Sequence, residues 1–215
     1  MDNVKQTGRV DSSQLLDWAR RLQALAQTGL AYTKDPYDVE RYKNLRQIAA
    51  EIMTSSAASV PVSLIESFTG ELGYATPKID VRAAVFVEDK LLFVKERSDG
   101  RWTLPGGWAD VGDSPSVAVV KEVKEESGYT VVARKLAAVY DRDLQGHPPM
   151  PYHIYKLFFM CELVSGTPQA SIETEAVSFF SEYLLPPLSL SRVMPKQIAH
   201  LFDHHRHPEW PTSFD

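Results

Sequence analysis

Three glutamates, Glu122, Glu125 and Glu126, fall within about one helical turn in the stretch Lys121-Glu-Val-Lys-Glu-Glu126. Residues three and four apart share one side of a helix, so the carboxylates crowd together. Like charges at that spacing destabilise a helix by roughly 0.2–0.5 kcal/mol per pair, and they lie near a C-terminal end, where the helix dipole favours cations. Two local rules are broken at one place, which is how functional sites often announce themselves. Three hard oxygen donors on one face would suit Mg²⁺ or Mn²⁺. The competing reading is a solvated face, since Lys121 and Lys124 interleave with the acids and Lys121–Glu125 is an ordinary i,i+4 pair. Upstream, Pro105-Gly106-Gly107 forms a turn whose backbone can approach a ligand closely. Ser114-Pro115 opens a helix, with Ser114 or Asp113 as cap, and Gly128 stands where a left-handed residue would end it.

The spacing between those glycines and the acids decides between the two readings. The segment Gly107 to Tyr129 resembles the signature of the Nudix hydrolases, in which a glycine, an acid, an arginine, three glutamates and a second glycine recur at fixed intervals. Gly107, Glu122, Val123, Glu125, Glu126 and Gly128 match without a gap, and Tyr129 is an acceptable apolar terminus. Two positions depart: Asp113 stands where the family has glutamate, and Lys121 where it has arginine. Lysine is a point-charge donor that cannot reproduce the bidentate grip of a guanidinium, so the support of the box is expected to be altered.

The resemblance implies a pyrophosphohydrolase that cuts a nucleoside diphosphate linked to another group, with Glu122, Glu125 and Glu126 as catalytic metal carboxylates and the carbonyl of Gly106 as a further ligand. Mg²⁺ or Mn²⁺ would neutralise the charge of the pyrophosphate and activate a water. A general base outside the box is expected in Ser171-Ile-Glu-Thr-Glu-Ala176, with Glu173 the first choice and Glu175 the second. A helical extension before a box of the form Gly-Gly-Trp-x-Asp-Val resembles the Nudix group acting on X-linked nucleoside diphosphates, with which CDP-choline and ADP-ribose are associated. In that group the helical part would form a homodimer or cover a partner's active site. Two alternatives stay open: a non-hydrolytic module that binds a nucleotide sugar, and an RNA-processing Nudix enzyme.

The elements that would position these residues form an α+β pattern. Apolar residues recur at Leu15, Trp18, Ala19, Leu22, Leu25 and Ala26, predicting a helix capped by Asp11 with Gln14. Asp35-Pro36 starts a second, whose stripe is Val39, Tyr42, Leu45, Ile48 and Ile52. The link Thr28–Lys34 is short, so a helical hairpin is expected. The Ser55–Pro61 stretch breaks the pattern, a short amphipathic turn is read at Val62–Phe68, and Gly70, Gly73 and Pro77 mark a boundary. The expected division is a helical domain at 1–72 and a Nudix domain, an α/β/α sandwich around a mixed sheet, at 73–215. Strands are predicted at 81–87, 91–95, 131–140, 152–163 and 176–180, and a last helix near 192–203.

Substrate contacts are expected from Arg97 and Trp102, which precede the box, and from Asp141, Arg142 and His153, which flank the loop Leu144–Pro151, read as an ordered, irregular lid. Trp108 or Tyr140 could stack on a base, although core packing is the more frequent fate of an aromatic. His200, His204, His205 and His207 read as a surface helix end in preference to a zinc site. The 215-residue chain carries a net charge of −5, which argues against a nucleic-acid partner but not against a small phosphate-bearing substrate. Its single cysteine, Cys161, excludes an intrachain disulfide and sits in an apolar run that predicts a buried thiol. Met1–Lys5 lacks an apolar leader and no stretch approaches a membrane span, so a cytoplasmic protein away from membranes is expected.

Overall fold

The computed structural model describes residues 11–56 and 62–215. The Met1–Lys5 segment and most of the Ser55–Pro61 segment lie outside the described residues. The chain divides into two compact units: the helices up to Pro77 together with Pro149–His153, and Lys78–Pro148 with Ile154–Asp215. No helix among the described residues is long and apolar enough to cross a membrane.

The helical unit contains α1 (Ser12–Tyr32), α2 (Pro36–Ser56) and α3 (Val62–Thr69). Asp11 caps α1 by accepting the Gln14 amide at 2.7 Å. Asp35 caps α2 by accepting the amides of Tyr37 and Asp38 at 2.9 and 3.0 Å. The link expected at Thr28–Lys34 is instead mostly helix, because α1 runs on to Tyr32. A Cβ at Gly29 would lie 2.4 Å from the Tyr42 ring, so this mid-helix glycine serves the close packing of the hairpin and not a loop.

The buried face of α1 also differs from the predicted stripe. It comprises Leu16, Ala19, Gln23, Ala26 and Gln27, while Trp18 and Leu25 are 40 % and 62 % exposed. Buried glutamine is the reason: Gln23 Nε2 donates to the carbonyls of Phe68 and Thr69, and Gln27 Nε2 to that of Leu72. These side chains satisfy carbonyls at and beyond the end of α3, a task that apolar periodicity cannot reveal. On α2, Ala49 and Met53 are buried and Ile48 is exposed. Pro149–His153 belongs to this unit: Arg20 Nε donates to the Met150 carbonyl at 3.0 Å, and the Tyr152 ring meets Phe68 edge-on at 5.5 Å.

The second unit is a mixed sheet between two helices. Its strands are β1 (Lys78–Val87), β2 (Lys90–Glu96), β3 (Trp102–Thr103), β4 (Tyr129–Asp141), β5 (Ile154–Gly166), β6 (Thr174–Phe180) and β7 (Ser213–Phe214). The order is β3-β2-β1-β5-β4-β7, with β6 on β2. Glu88 and Asp89 both take left-handed conformations, the mark of a two-residue hairpin turn between β1 and β2. Helix α4 (Pro115–Ser127) covers one face, with Ala118, Val119 and Val123 against Val81, Ala83, Val85 and Phe159. Helix α5 (Pro195–Arg206) covers the other, with Ile198, Leu201 and Phe202 packed with Ala84, Phe93 and Phe158. Alternation along β1 and β5 therefore feeds two cores. Cys161 is 7 % exposed, and burial pushes its thiol up to about 12.

One irregularity places the site. Strands β1 and β2 pair only next to their turn, at Phe86–Leu91 and Val87–Lys90, after which β2 goes on to pair with β6. The edge of β1 so released is taken by the Pro105–Ala109 segment: Ala83 N donates to Pro105 O, Val81 N to Gly107 O, and Ala109 N to Ile79 O, at 2.9–3.0 Å. The glycine turn thus runs along the sheet as a substitute strand.

Candidate active site

Helix α4 is fixed at both ends. Ser114 is its cap, accepting the Val117 amide, and Gly128 closes it with a φ of 78°. The C-terminal carbonyls find partners as well, Glu126 O accepting from Thr174 Oγ1 at 2.8 Å and Ser127 O from the Gln169 amide at 2.9 Å. The loop before β6 is thereby tied to the end of the box.

The glutamates divide into two environments. Glu126 is 5 % exposed, and its Oε2 accepts the Gly106 amide at 2.8 Å. Glu122 lies against the same turn, since a Cβ at Gly107 would meet both its carboxylate oxygens at 3.2 Å. Gly106 has φ +139° and no room for a side chain, because a Cβ there would fall 2.0 Å from Val81 O. Glu125 points to the exposed side of the helix. Burial lifts Glu126 to about 8 against the pull of Arg82 and of the Gly106 amide. Burial likewise lifts Glu122 to about 7, with the charges of Glu125 and Glu173 adding to it and Arg82 opposing.

Behind the turn lies a buried ionic cluster. Arg82, 4 % exposed on β1, grips Asp80 with Nε at 3.0 Å and Nη2 at 2.7 Å, and its Nη1 donates to Leu104 O at 3.1 Å. Lys156, opposite Asp80 on β5, also donates to that carboxylate. Although burial pushes Asp80 upward, the two cations outweigh it and hold the carboxyl near 2. Burial brings Lys156 down to about 8, with Asp80 opposing. Glu96, at the end of β2, is 6 % exposed and meets Arg192 Nε at 3.1 Å. Burial raises it too, against the pull of Arg192 and Arg82. Sequence reasoning did not single out Asp80, Arg82, Glu96 or Lys156. The available signal was charge at inward positions of apolar strands, with Asp80 and Arg82 two apart.

The two departures of the box meet each other. Lys121 Nζ lies 2.6 Å from Asp110 and 3.6 Å from Asp113, on the exposed side of α4. Lysine and the shorter acid thus form a surface pair that pins the 110–113 turn.

The remaining expected residues are dispersed. Glu173 sits in the loop tied to the end of α4, where its charge reaches Glu122 and Glu96. Glu175 instead pairs with Lys95. Arg97 holds the Glu173 loop, with Nε and Nη2 each 3.2 Å from Ser171 O and its amide donating to Glu173 O. Trp102 packs edge-on to Phe180 at 4.9 Å, within the α5-side core. Asp141 caps a 3-10 turn (Arg142–Gln145), accepting the Asp143 amide at 2.9 Å. Arg142 is 2 % exposed, with Nη2 3.4 Å from Ser191 O. His153 is half-buried and belongs to the helical unit. Of the two aromatics, Trp108 beside the glycine turn is 46 % exposed, while Tyr140 packs on Phe158.

Of the four histidines expected at a surface helix end, His207 is exposed and His205 half-exposed, whereas the other two are covered. His204 is 1 % exposed and His200 is partly covered, because the chain after α5 folds back so that β7 pairs with β4 and Trp210 packs on both rings. His204 joins a polar chain from Lys135 Nζ through its own ring to His200 and Ser213. Among the described residues no group of three or more His, Cys, Asp or Glu side chains is gathered as a ready metal cage. Glu122 and Glu126 beside the Gly106–Gly107 turn are nonetheless hard oxygen donors of the kind a hard divalent cation takes.

Comparison with known proteins decides the family. A model of the NUDIX domain matches residues 76–201, more than half the chain. The chain belongs to the Nudix hydrolases. A second model, described as a UDP-X-like, N-terminal oligomerisation domain, matches residues 13–68. The putative ADP-ribose pyrophosphatase YjhB of Bacillus subtilis is 47 % identical over 93 % of this chain and 96 % of its own. Among solved structures, an ADP-ribose pyrophosphatase from Streptococcus suis is 45 % identical with a TM-score of 0.61, covering 65 % of this chain and all of its own. A UDP-X diphosphatase is 32 % identical with a TM-score of 0.61, covering 96 % of this chain and all of its own. This Nudix hydrolase is a pyrophosphohydrolase of the ADP-ribose pyrophosphatase and UDP-X diphosphatase type.

Proposed function

We propose that this Nudix hydrolase cleaves the pyrophosphate bond of a nucleoside diphosphate linked to a second group, with ADP-ribose the first substrate to test. The products would be a nucleoside monophosphate and the phosphorylated second group, AMP and ribose 5-phosphate for ADP-ribose. One observation carries the reading: two inward-facing box glutamates, one buried and one half-buried, converge on one glycine turn, Glu126 by accepting the Gly106 amide and Glu122 by lying against Gly107. The names borne by its relatives favour ADP-ribose and UDP-linked compounds over CDP-choline.

Mg²⁺ or Mn²⁺ would be held by Glu122 and Glu126, with the Gly106 carbonyl and the exposed Glu125 completing the set, and would supply charge neutralisation and an acidified water. The protein's own part is positional. The backbone of β1 fixes the turn, and the turn fixes the carboxylates. Glu173, on the loop held by Arg97, is the residue proposed to take the proton of the attacking water. Arg97 acts in this reading as the residue that sets Glu173, and Trp108 is the aromatic available to a base. Trp102, Asp141 and Arg142 are engaged in packing and capping, which favours an indirect role for them. His153 remains a proposed substrate contact.

The partner proposed is a second copy of the chain. Trp18, Arg21, Leu22, Leu25 and Ile52 line a groove of about 350 Å³ on the helical hairpin, and the match to an oligomerisation domain supports a homodimer formed there. Leu25→Asp should shift the protein to a monomer by light scattering; a dimer that persists contradicts that assignment. The activity is tested by incubating the protein with Mg²⁺ or Mn²⁺ and ADP-ribose, UDP-linked sugars, CDP-choline, dinucleoside polyphosphates and capped RNA. Turnover of ADP-ribose above the others is expected. No turnover of any compound, or turnover undiminished by Glu126→Gln, overturns it.

A further inference from the structure

In this chain the box lysine cannot steady the glutamates, because its amine is spent on Asp110 and Asp113 at the protein surface. Something else must hold the bed on which Glu126 rests. The bed is the Leu104–Gly107 segment, whose Gly106 amide reaches Glu126, and among the described residues the hydrogen bonds its carbonyls accept come from β1. Ala83 N donates to Pro105 O and Val81 N to Gly107 O, while the side chain of Arg82 donates through Nη1 to Leu104 O. Arg82 can hold that carbonyl in only one place, since its other two donors are clamped by Asp80 and it is 4 % exposed. Asp80 is in turn held from β5 by Lys156. Gly106 leaves no slack, for a Cβ there would fall 2.9 Å from the Arg82 Cα.

We propose that Arg82, on β1 and outside the box, is the positioning residue of the metal-binding carboxylates: clamped by Asp80, it anchors the Leu104–Gly107 turn that holds Glu126, the support that Lys121 does not provide. The inference rests on the metal-dependent reading above and deepens it. A forked guanidinium is required, because three donors act in two directions at once; an ammonium would keep the charge and lose the geometry. Orienting partners of this kind typically cost 10–100-fold in metal affinity or activity when removed.

The test compares Mn²⁺ dissociation constants by electron paramagnetic resonance in the full chain and in Arg82→Lys, Arg82→Met, Asp80→Asn and Lys121→Met, with melting temperatures in the same buffer. Both Arg82 variants should bind Mn²⁺ about 10–100-fold more weakly, and Asp80→Asn should fall between them and the parent. Lys121→Met should stay within about twofold, as surface pairs contribute little. On nucleotide substrate the Arg82 variants should lose kcat with KM nearly kept. If Arg82 supplied charge alone, Arg82→Lys would match the parent and Arg82→Met would bind Mn²⁺ as well or better, since a cation leaves the neighbourhood of a cation. Either result overturns the proposal, as does a parent chain that binds no Mn²⁺. Should Arg82→Met fail to fold, Arg82→Lys and Asp80→Asn against Lys121→Met decide it. Arg82-dependent Mn²⁺ binding without any turnover would sink the proposed function and leave this inference standing; turnover with Arg82-independent binding would do the reverse.

Discussion

The inner and outer sides of the box helix carry the same residue types and are built for opposite purposes. Outside, Lys121, Glu125 and Asp110 are exposed charges with the half-buried Asp113 beside them, and the lysine ties down a turn. Inside, Glu122 and Glu126 are pressed against two glycines and pushed by burial toward protonation at about 7 and 8. Water solvates the first set and makes each charge cheap to change. The second set depends on fixed partners, so each loss leaves a buried group stranded. The lesson is that motif membership does not measure contribution; the environment of each position does.

The contrast can be broken at its strongest point first. Gly106→Ala should abolish activity and destabilise the fold by several kcal/mol, on the order of 3, since its Cβ meets backbone at 2.0 Å and its φ is positive. Urea unfolding measures this, and a stable, active alanine variant would show the turn to be loose. Glu126→Gln should leave the fold intact and lower kcat at least ~100-fold, above what loss of an orienting partner costs. Glu125→Gln should cost less, about 10-fold, as an exposed ligand is replaceable by water; equal losses at Glu125 and Glu126 would erase the distinction drawn here.

The smallest effect extends the same contrast to the histidines. Burial lowers His147 and His204 to about 4, with the Lys135 charge adding to the effect on His204. A depressed folded value means the unfolded chain binds protons first, so stability is retained above about pH 6.5 and drains away as the pH falls toward 4. His204→Asn should remove its share of that slope, on the order of 1–3 kcal/mol. Melting curves from pH 7.5 to 4.5 measure this, and a slope unchanged in His204→Asn would contradict it.

How much of this was legible in the residues depended on the kind of signal. The box helix, its caps and its glycines were readable because each is a local rule, and the ends at Ser114 and Gly128 fall where those rules put them. The α+β class and the strands were readable from a change of period. The tilt of α1 was not, because Gln23 and Gln27 are buried to satisfy distant carbonyls while Trp18 and Leu25 face outward. Strands β3 and β7 have two residues each and no period to detect. Likewise His204 took its burial from a tail that returns along β4, a pairing between residues 138 and 213 that no local pattern encodes. In the site, Arg82 was not legible because its partner, the Leu104 carbonyl, is a backbone group 22 residues away, and Asp80 because its second cation, Lys156, lies 76 residues along the chain.

The central claim is that chemistry resides on the inner side of the helix. Its most direct measurement is kcat for ADP-ribose hydrolysis, with Mn²⁺ affinity alongside, in Glu126→Gln and Lys121→Met prepared in parallel. The account predicts that Glu126→Gln loses both and that Lys121→Met keeps both within about twofold. A Lys121→Met protein as impaired as Glu126→Gln would contradict it.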